Sequence, residues 1–136
     1  MDNETMELIA VLNKSLSYEY GALFMLPQHL AHISDPELKS KLRGIMEMEL
    51  EHAEKTARLI FALGGKPNAD LPNFTLRTTV KEILEAQLAG ERQAIEIYDQ
   101  AARLSKVPEH RKMLLDLMAE EEHHQEIVLT ELAKLG

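Results

Sequence analysis

The 136-residue sequence contains no cysteine. That absence excludes disulfides, zinc or iron–sulfur centres held by thiolates, and a rubredoxin-type iron site. Aromatic residues reach only 4%, glycine and proline number six and five, and leucine, alanine, glutamate and lysine dominate. This balance points to helices. No apolar run approaches the ~18 residues needed to span a membrane. The N-terminus, Met1-Asp2-Asn3-Glu4, is acidic and carries no apolar signal-peptide core. A soluble, cytoplasmic protein without membrane contacts is expected. A net charge of -8 disfavours nucleic acid as a partner. What is present is ordinary for a globular chain: 45% hydrophobic and 28% charged residues, enough for one domain over 1–136 with a real core.

Helical periodicity divides the chain into four. The first helix is expected from about Glu4 to Ile33, with Ile9, Leu12, Leu16, Leu23, Leu26 and Leu30 near helical spacing. Asp35 can cap the second helix, with Pro36 in its first turn. That helix covers about Glu37 to Leu63 and stops at Gly64-Gly65. Thr79 and Glu82 form a capping box for a third helix reaching about Leu104. Pro108-Glu109 opens a fourth, running to about Leu135. Residues 64–78 form the one long loop.

Loop length sets the topology. Short connections make helices 1 and 2, and helices 3 and 4, into antiparallel hairpins. About 15 extended residues reach ~50 Å, whereas a 26-residue helix is ~39 Å long. The central loop can therefore cross the whole bundle. The expected fold class is all-α, a four-helix bundle of two antiparallel hairpins with one long central crossover.

Two Glu-x-x-His pairs lie on these helices, Glu49 with His52 and Glu121 with His124. Positions three apart share a helical face. A shift of 72 positions superimposes the halves: Pro36 on Pro108, Leu12 on Leu84, Leu42 on Leu114, Met46 on Met118. The same shift sets Glu19 on Glu91, Glu49 on Glu121 and His52 on His124. Two Glu-x-x-His helices with one glutamate from each of two others make the ligand set of dinuclear carboxylate sites in four-helix bundles. All four glutamates point within roughly 35° of the middle of their helix's apolar face. Unpartnered, each buried carboxylate would cost several kcal/mol, a penalty that divalent cations remove. Four carboxylates and two imidazoles suit first-row divalent metals, with iron as the expected occupant and manganese or zinc as alternatives. The competing register, Glu120 with His123, points roughly 100° and 160° away from the apolar centre and is set aside.

Other residues carry less. His29 and His32 point roughly 100° or more from the apolar face of helix 1 and read as surface histidines. Met46 and Met118 read as core packing. Tyr98, two turns beyond Glu91 on the same face, reads first as packing. Glu47, Glu51, Glu54 and Glu126 read first as solvated helix faces, with the lining of an iron entry path as the alternative.

With these residues in hand, the chain resembles the ferritin-like di-iron carboxylate superfamily over essentially its full length, and within it bacterioferritin. Glu49-Leu50-Glu51-His52-Ala53-Glu54 followed by Gly64-Gly65-Lys66-Pro67 looks like that family's second helix and turn. Gln87-Leu88-Ala89-Gly90-Glu91 and Glu121-Glu122-His123-His124 look like its third and fourth ligand segments. The resemblance implies bridging roles for Glu49 and Glu121, terminal carboxylates at Glu19 and Glu91, and nitrogen ligands at His52 and His124. It also implies that Tyr18, Tyr20 or Tyr98 could serve as a redox-active phenol, with Tyr98 the best placed. Leu50 stands where bacterioferritins place a haem-ligating methionine, so haem is not expected. The sequence stops at Gly136 directly after helix 4, without the family's short fifth helix, which leaves the usual cage open. The extra glutamate of rubrerythrins, three residues before Glu91, is replaced by Leu88.

The implied function is ferroxidase-type: two Fe(II) per chain are bound and oxidised by O2 or H2O2, for iron storage or detoxification. Two alternatives stand beside it. One is a rubrerythrin-like peroxide reductase with an external electron donor, and the other a structural bundle without a redox-active metal. Self-association is expected as a homodimer or a larger homo-oligomer.

Overall fold

A computed structural model describes residues 1–71 and 73–136. Four helices account for most of them: α1 (Asn3–Leu30), α2 (Pro36–Ala62), α3 (Val80–Leu104) and α4 (Pro108–Lys134). Local chemistry explains the boundaries. Asp2 accepts the Thr5 N–H at 2.7 Å, and Asp35 accepts that of Glu37 at 3.0 Å. At α3 the Glu82 N–H donates to Thr79 Oγ1, whose own hydroxyl donates to Glu82 Oε1. Each cap satisfies a backbone donor that the first helical turn leaves open. Beyond α2, Gly64 adopts a left-handed φ of 88° and the Gly65 N–H bonds back to the Ile60 carbonyl at 2.9 Å, a glycine-dependent helix stop.

One boundary differs from the sequence expectation. Helix α1 ends at Leu30, three residues before Ile33. Pro27 lies in its last turns and lacks the N–H that would bond back to Leu23. The next amides, of Ala31, His32 and Ile33, tighten onto carbonyls three residues back. Ile33 remains buried, so the apolar spacing continues after the helical backbone has stopped.

The core explains the topology. Leu26 and Leu30 from the end of α1, Leu38 and Leu42 from the start of α2, Ile83 and Leu84 from the start of α3 and Val128 near the end of α4 form one cluster. Helices α2 and α3 therefore begin at the same end and run parallel. α1 packs on α2 and α3, α3 packs on α4, and α2 meets α4 only thinly. A second cluster, with Leu8, Leu12, Leu16, Ile60, Ala101 and Leu114, fills the other end. The two clusters are separated along every helix by buried charged residues: Glu19 on α1, Glu49 and His52 on α2, Glu91 on α3, Glu121 and His124 on α4.

The crossover runs the length of α1. Asn13 donates to the Lys66 carbonyl and accepts the Asn68 N–H. Further along, Phe24 and Phe74 pack with ring centroids 5.0 Å apart, and the Arg77 N–H donates to His29 Nε2 at 3.0 Å. His29 is thus buried beneath the crossover and is not a surface histidine, whereas His32 is exposed. A helical wheel measures burial against the bundle alone, and the loop supplies a second covering surface. Among the described residues no helix is long and apolar enough to cross a membrane.

Candidate metal centre

Helical spacing brings the six side chains together. Glu19, Glu49, His52, Glu91, Glu121 and His124 are all at least 97% buried. Their ligating atoms form two overlapping groups, each spanning no more than 4.8 Å: Glu19, Glu49, His52 and Glu121, then Glu49, Glu91, Glu121 and His124. Glu49 and Glu121 belong to both. The imidazoles present Nδ1 to the centre. His52 Nδ1 lies 2.5 Å from Glu121 Oε1 and 3.9 Å from Glu49 Oε1. His124 Nδ1 lies 3.0 Å from Glu49 Oε1, 3.7 Å from Glu91 Oε2 and 4.0 Å from Glu121 Oε1. The two rings stack 5.9 Å apart at 19°.

The electrostatics show what this concentration of charge costs. Burial pushes the Glu19 carboxyl well above its ordinary range, and the charges of Glu49 and Glu91 add to the effect. Glu121 is pushed up in the same way, first by burial, then by its contacts with Glu91 and Glu49. Burial acts upward on Glu49 too, but the hydrogen bonds it accepts from Glu19, His124 and Glu121 outweigh it and hold it at about 2. Burial disfavours the His124 cation, yet Glu49 and Glu91 raise its pKa to about 9. Protons thus hold together a cluster that could not exist fully ionised.

The donor set suits metal ions better than protons. Glu19 Oε2 and Glu91 Oε2 are buried without a hydrogen-bond partner, a costly condition for carboxylate oxygens in an apolar interior. Four carboxylates with two imidazoles fit a pair of first-row divalent cations, which would occupy those open lone pairs.

Around the six lie three residues that support them. Glu120, set aside for its orientation on α4, places Oε2 against His52 Nε2; the contact comes from α2, which a wheel drawn for α4 cannot represent. Gln87 Nε2 donates to Glu91 Oε1 at 2.6 Å, a pairing legible as an i, i+4 spacing. Tyr98 is fully buried, donates to Glu19 Oε1 at 3.1 Å and stands 3.4 Å from Thr56 Oγ1. Its phenol has a polar task beyond packing. Burial and the Glu19 charge push its pKa well above the ordinary phenol value. His123, Glu47, Glu51, Glu54 and Glu126 are exposed.

A cavity of about 220 Å³ reaches Glu19, Glu49, Glu91 and Glu121 from the side of α1 and α3, beneath Phe74 of the crossover. Ala22, Ala86 and Gly90 help to wall it. His29 also lines it, whereas His52 and His124 do not.

The family model of the ferritin-like domain matches residues 9–136. The chain belongs to the ferritin-like family. A bacterioferritin of Brucella melitensis biotype 1 is 32% identical to this ferritin-like chain over 140 residues, covering 96% of the chain and 87% of the relative. A ferritin-like, diiron-carboxylate protein from Bacillus anthracis str. Ames superposes with a TM-score of 0.92 at 28% identity, over 97% of this chain and 99% of that one. Desulfovibrio desulfuricans bacterioferritin, known with its diiron site in different catalytic states, superposes with a TM-score of 0.84 at 26% identity, over 96% and 81%. At the position where the sequence resemblance places a haem-ligating methionine, this ferritin-like chain carries the exposed side chain of Leu50, which has no ligand atom.

Proposed function

We propose that the chain is a dinuclear iron protein of ferroxidase type, which binds two Fe(II) as substrate and lets O2 or H2O2 oxidise them, for iron storage or detoxification. One observation carries the reading: six buried ligating side chains fall into two overlapping groups that share Glu49 and Glu121. The diiron site of the Desulfovibrio bacterioferritin and the diiron-carboxylate character of the Bacillus anthracis protein favour iron over other divalent metals. Haem has no place in this reading.

In it, Glu49 and Glu121 would be shared by the two positions, while Glu19 with His52 and Glu91 with His124 would complete one position each. Once bound, iron supplies the redox chemistry, one electron from each ion. The chain supplies the rest. Tyr98 holds Glu19, Gln87 holds Glu91, and the contact with Glu120 orients the His52 ring so that Nδ1 faces the centre. Protons held by Glu19, Glu121 and His124 leave as metal binds, because ligands must give up protons to coordinate. The largely apolar cavity gives a small uncharged oxidant a way to the carboxylates.

The test is anaerobic loading with Fe(II), followed by rapid mixing with O2 or H2O2, on wild type and Glu121→Ala. Two Fe(II) oxidised per chain in a fast phase that the variant lacks is the expected result. Oxidation no faster than in protein-free buffer would overturn the proposal. Reoxidation far faster with H2O2 than with O2, then sustained turnover with a reductant, would assign a peroxide reductase instead.

A further inference from the structure

The cavity that reaches the carboxylates is larger than the chemistry proposed for them requires. Its volume is about 220 Å³, whereas a water-sized oxidant needs only ~30 Å³. Small side chains make the room. Ala22 follows Glu19 by one helical turn on α1, and Ala86 and Gly90 precede Glu91 on α3. A Cβ added at Gly90 would meet nothing within 4 Å. From Glu19 the cavity extends past Ala22 and Met25 to His29, about 15 Å along the helix.

The walls have a definite chemistry. Phe74 covers the cavity and Met25 flanks it, a ring and a thioether that both favour aromatic partners. Phe74 is itself seated on Phe24, with 5.0 Å between ring centroids. Tyr18, Asn73, Gln87 and Gln93 add neutral hydrogen-bonding groups. Among the described residues no lysine or arginine lines the cavity, so an anion would find no counter-charge there. His29 accepts the Arg77 N–H through Nε2, which requires an imidazole nitrogen without a proton. Burial, His32 and Arg77 push its pKa down, so the end away from the carboxylates is uncharged near neutral pH. A largely apolar recess with a few polar groups is the usual form of a small-molecule site.

We infer that this cavity binds a small uncharged aromatic alcohol, a molecule of one ring and one hydroxyl. An apolar cavity of about 150 Å³ holds benzene, so the larger volume here leaves room for a ring with a substituent. The ring lies against Phe74 and Met25, and the hydroxyl bonds among Tyr18, Asn73, Gln87 and Gln93. Because Glu19 and Glu91 line the same cavity, the bound alcohol sits beside the metal centre. The site goes beyond the proposed oxidation of iron, since no metal is needed to fill it.

The test is a titration of metal-free protein with para-fluorophenol, followed by fluorine NMR, so that neither iron nor turnover enters. Wild type should show one saturable site per chain. Ala22→Leu and Ala86→Leu, which fill the cavity, should each weaken binding by about 10-fold or more. Phe74→Ala, a change in the crossover that overpacks nothing, should weaken it as well. Benzoate, similar in size but anionic, should not bind, and cyclohexanol, which lacks the aromatic face, should bind more weakly. Circular dichroism of each variant establishes that it folds. No saturable binding by wild type, or equal binding by all three variants, would overturn the site. Benzoate or cyclohexanol binding as tightly as para-fluorophenol would overturn the ligand class. None of these results bears on Fe(II) oxidation, and oxidation no faster than in buffer would leave the site standing.

Discussion

Glu49 and Glu121 each stand within 4.0 Å of both imidazoles, as the proposed dinuclear centre requires. In metal-free protein, protons hold this cluster together, and stability follows. Glu19 and Glu121 have folded pKa values above the carboxylate norm of 4.5, and His124 rises from 6.5 to about 9. A raised folded pKa contributes stability that is complete below the unfolded value and lost as pH rises through the folded one. Glu49, held at about 2, has the opposite sign, but its contribution is already complete above about pH 4.5. Metal-free protein should therefore lose stability between pH 6 and pH 9, its melting midpoint falling by roughly 5 °C or more. Zn(II)-loaded protein should not follow this slope, because protons then compete with the metal and higher pH favours binding. Melting curves across that range, with and without Zn(II), check both signs. At this scale the six side chains were legible because helical spacing and the 72-residue repeat select them independently. Glu120 was not. Its partner lies on another helix, and no property of its own helix marks it.

Three of the four helix starts are written locally, in Asp2, Asp35 and the Thr79–Glu82 box, while α4 begins at Pro108 without a side-chain cap. These short-range contacts need no tertiary context, which is why their positions could be read from the chain. The end of α1 and the burial of His29 were harder, since both depend on how the backbone leaves a helix and where the crossover settles. That settling relies on a close approach at Gly65. A Cβ there would lie 2.8 Å from Ile9 Cγ2 and 2.9 Å from Ile9 Cδ1, nearer than carbon atoms pack, with Ile60 Cγ2 tight against it at 3.1 Å. Gly65→Ala should destabilise the protein by about 1–3 kcal/mol, the usual cost of overpacking. Urea denaturation should show a lower midpoint with unchanged slope. An unchanged midpoint would mean that the α2–crossover junction is loosely packed.

For the molecule as a whole, the repeat, the single long crossover and the placement of charge answer one requirement. The two hairpins, related by the 72-residue repeat, each bring three candidate ligands to the middle, and the crossover allows the second hairpin to meet the first with α2 and α3 parallel. The core is divided into two apolar clusters by a buried layer that is unfavourable without counter-charge. A bundle selected for stability alone would fill that layer with leucine. The most direct test is therefore occupancy. Metal-free protein is dialysed anaerobically against excess Fe(II), and bound metal per chain is measured for wild type and Glu49→Ala. The account expects two ions per wild-type chain and a clear loss in the variant, which removes a ligand common to both positions. Fewer than one ion per wild-type chain, with the variant equally stable and equally poor in metal, would contradict it and leave a helical bundle with acids in its core.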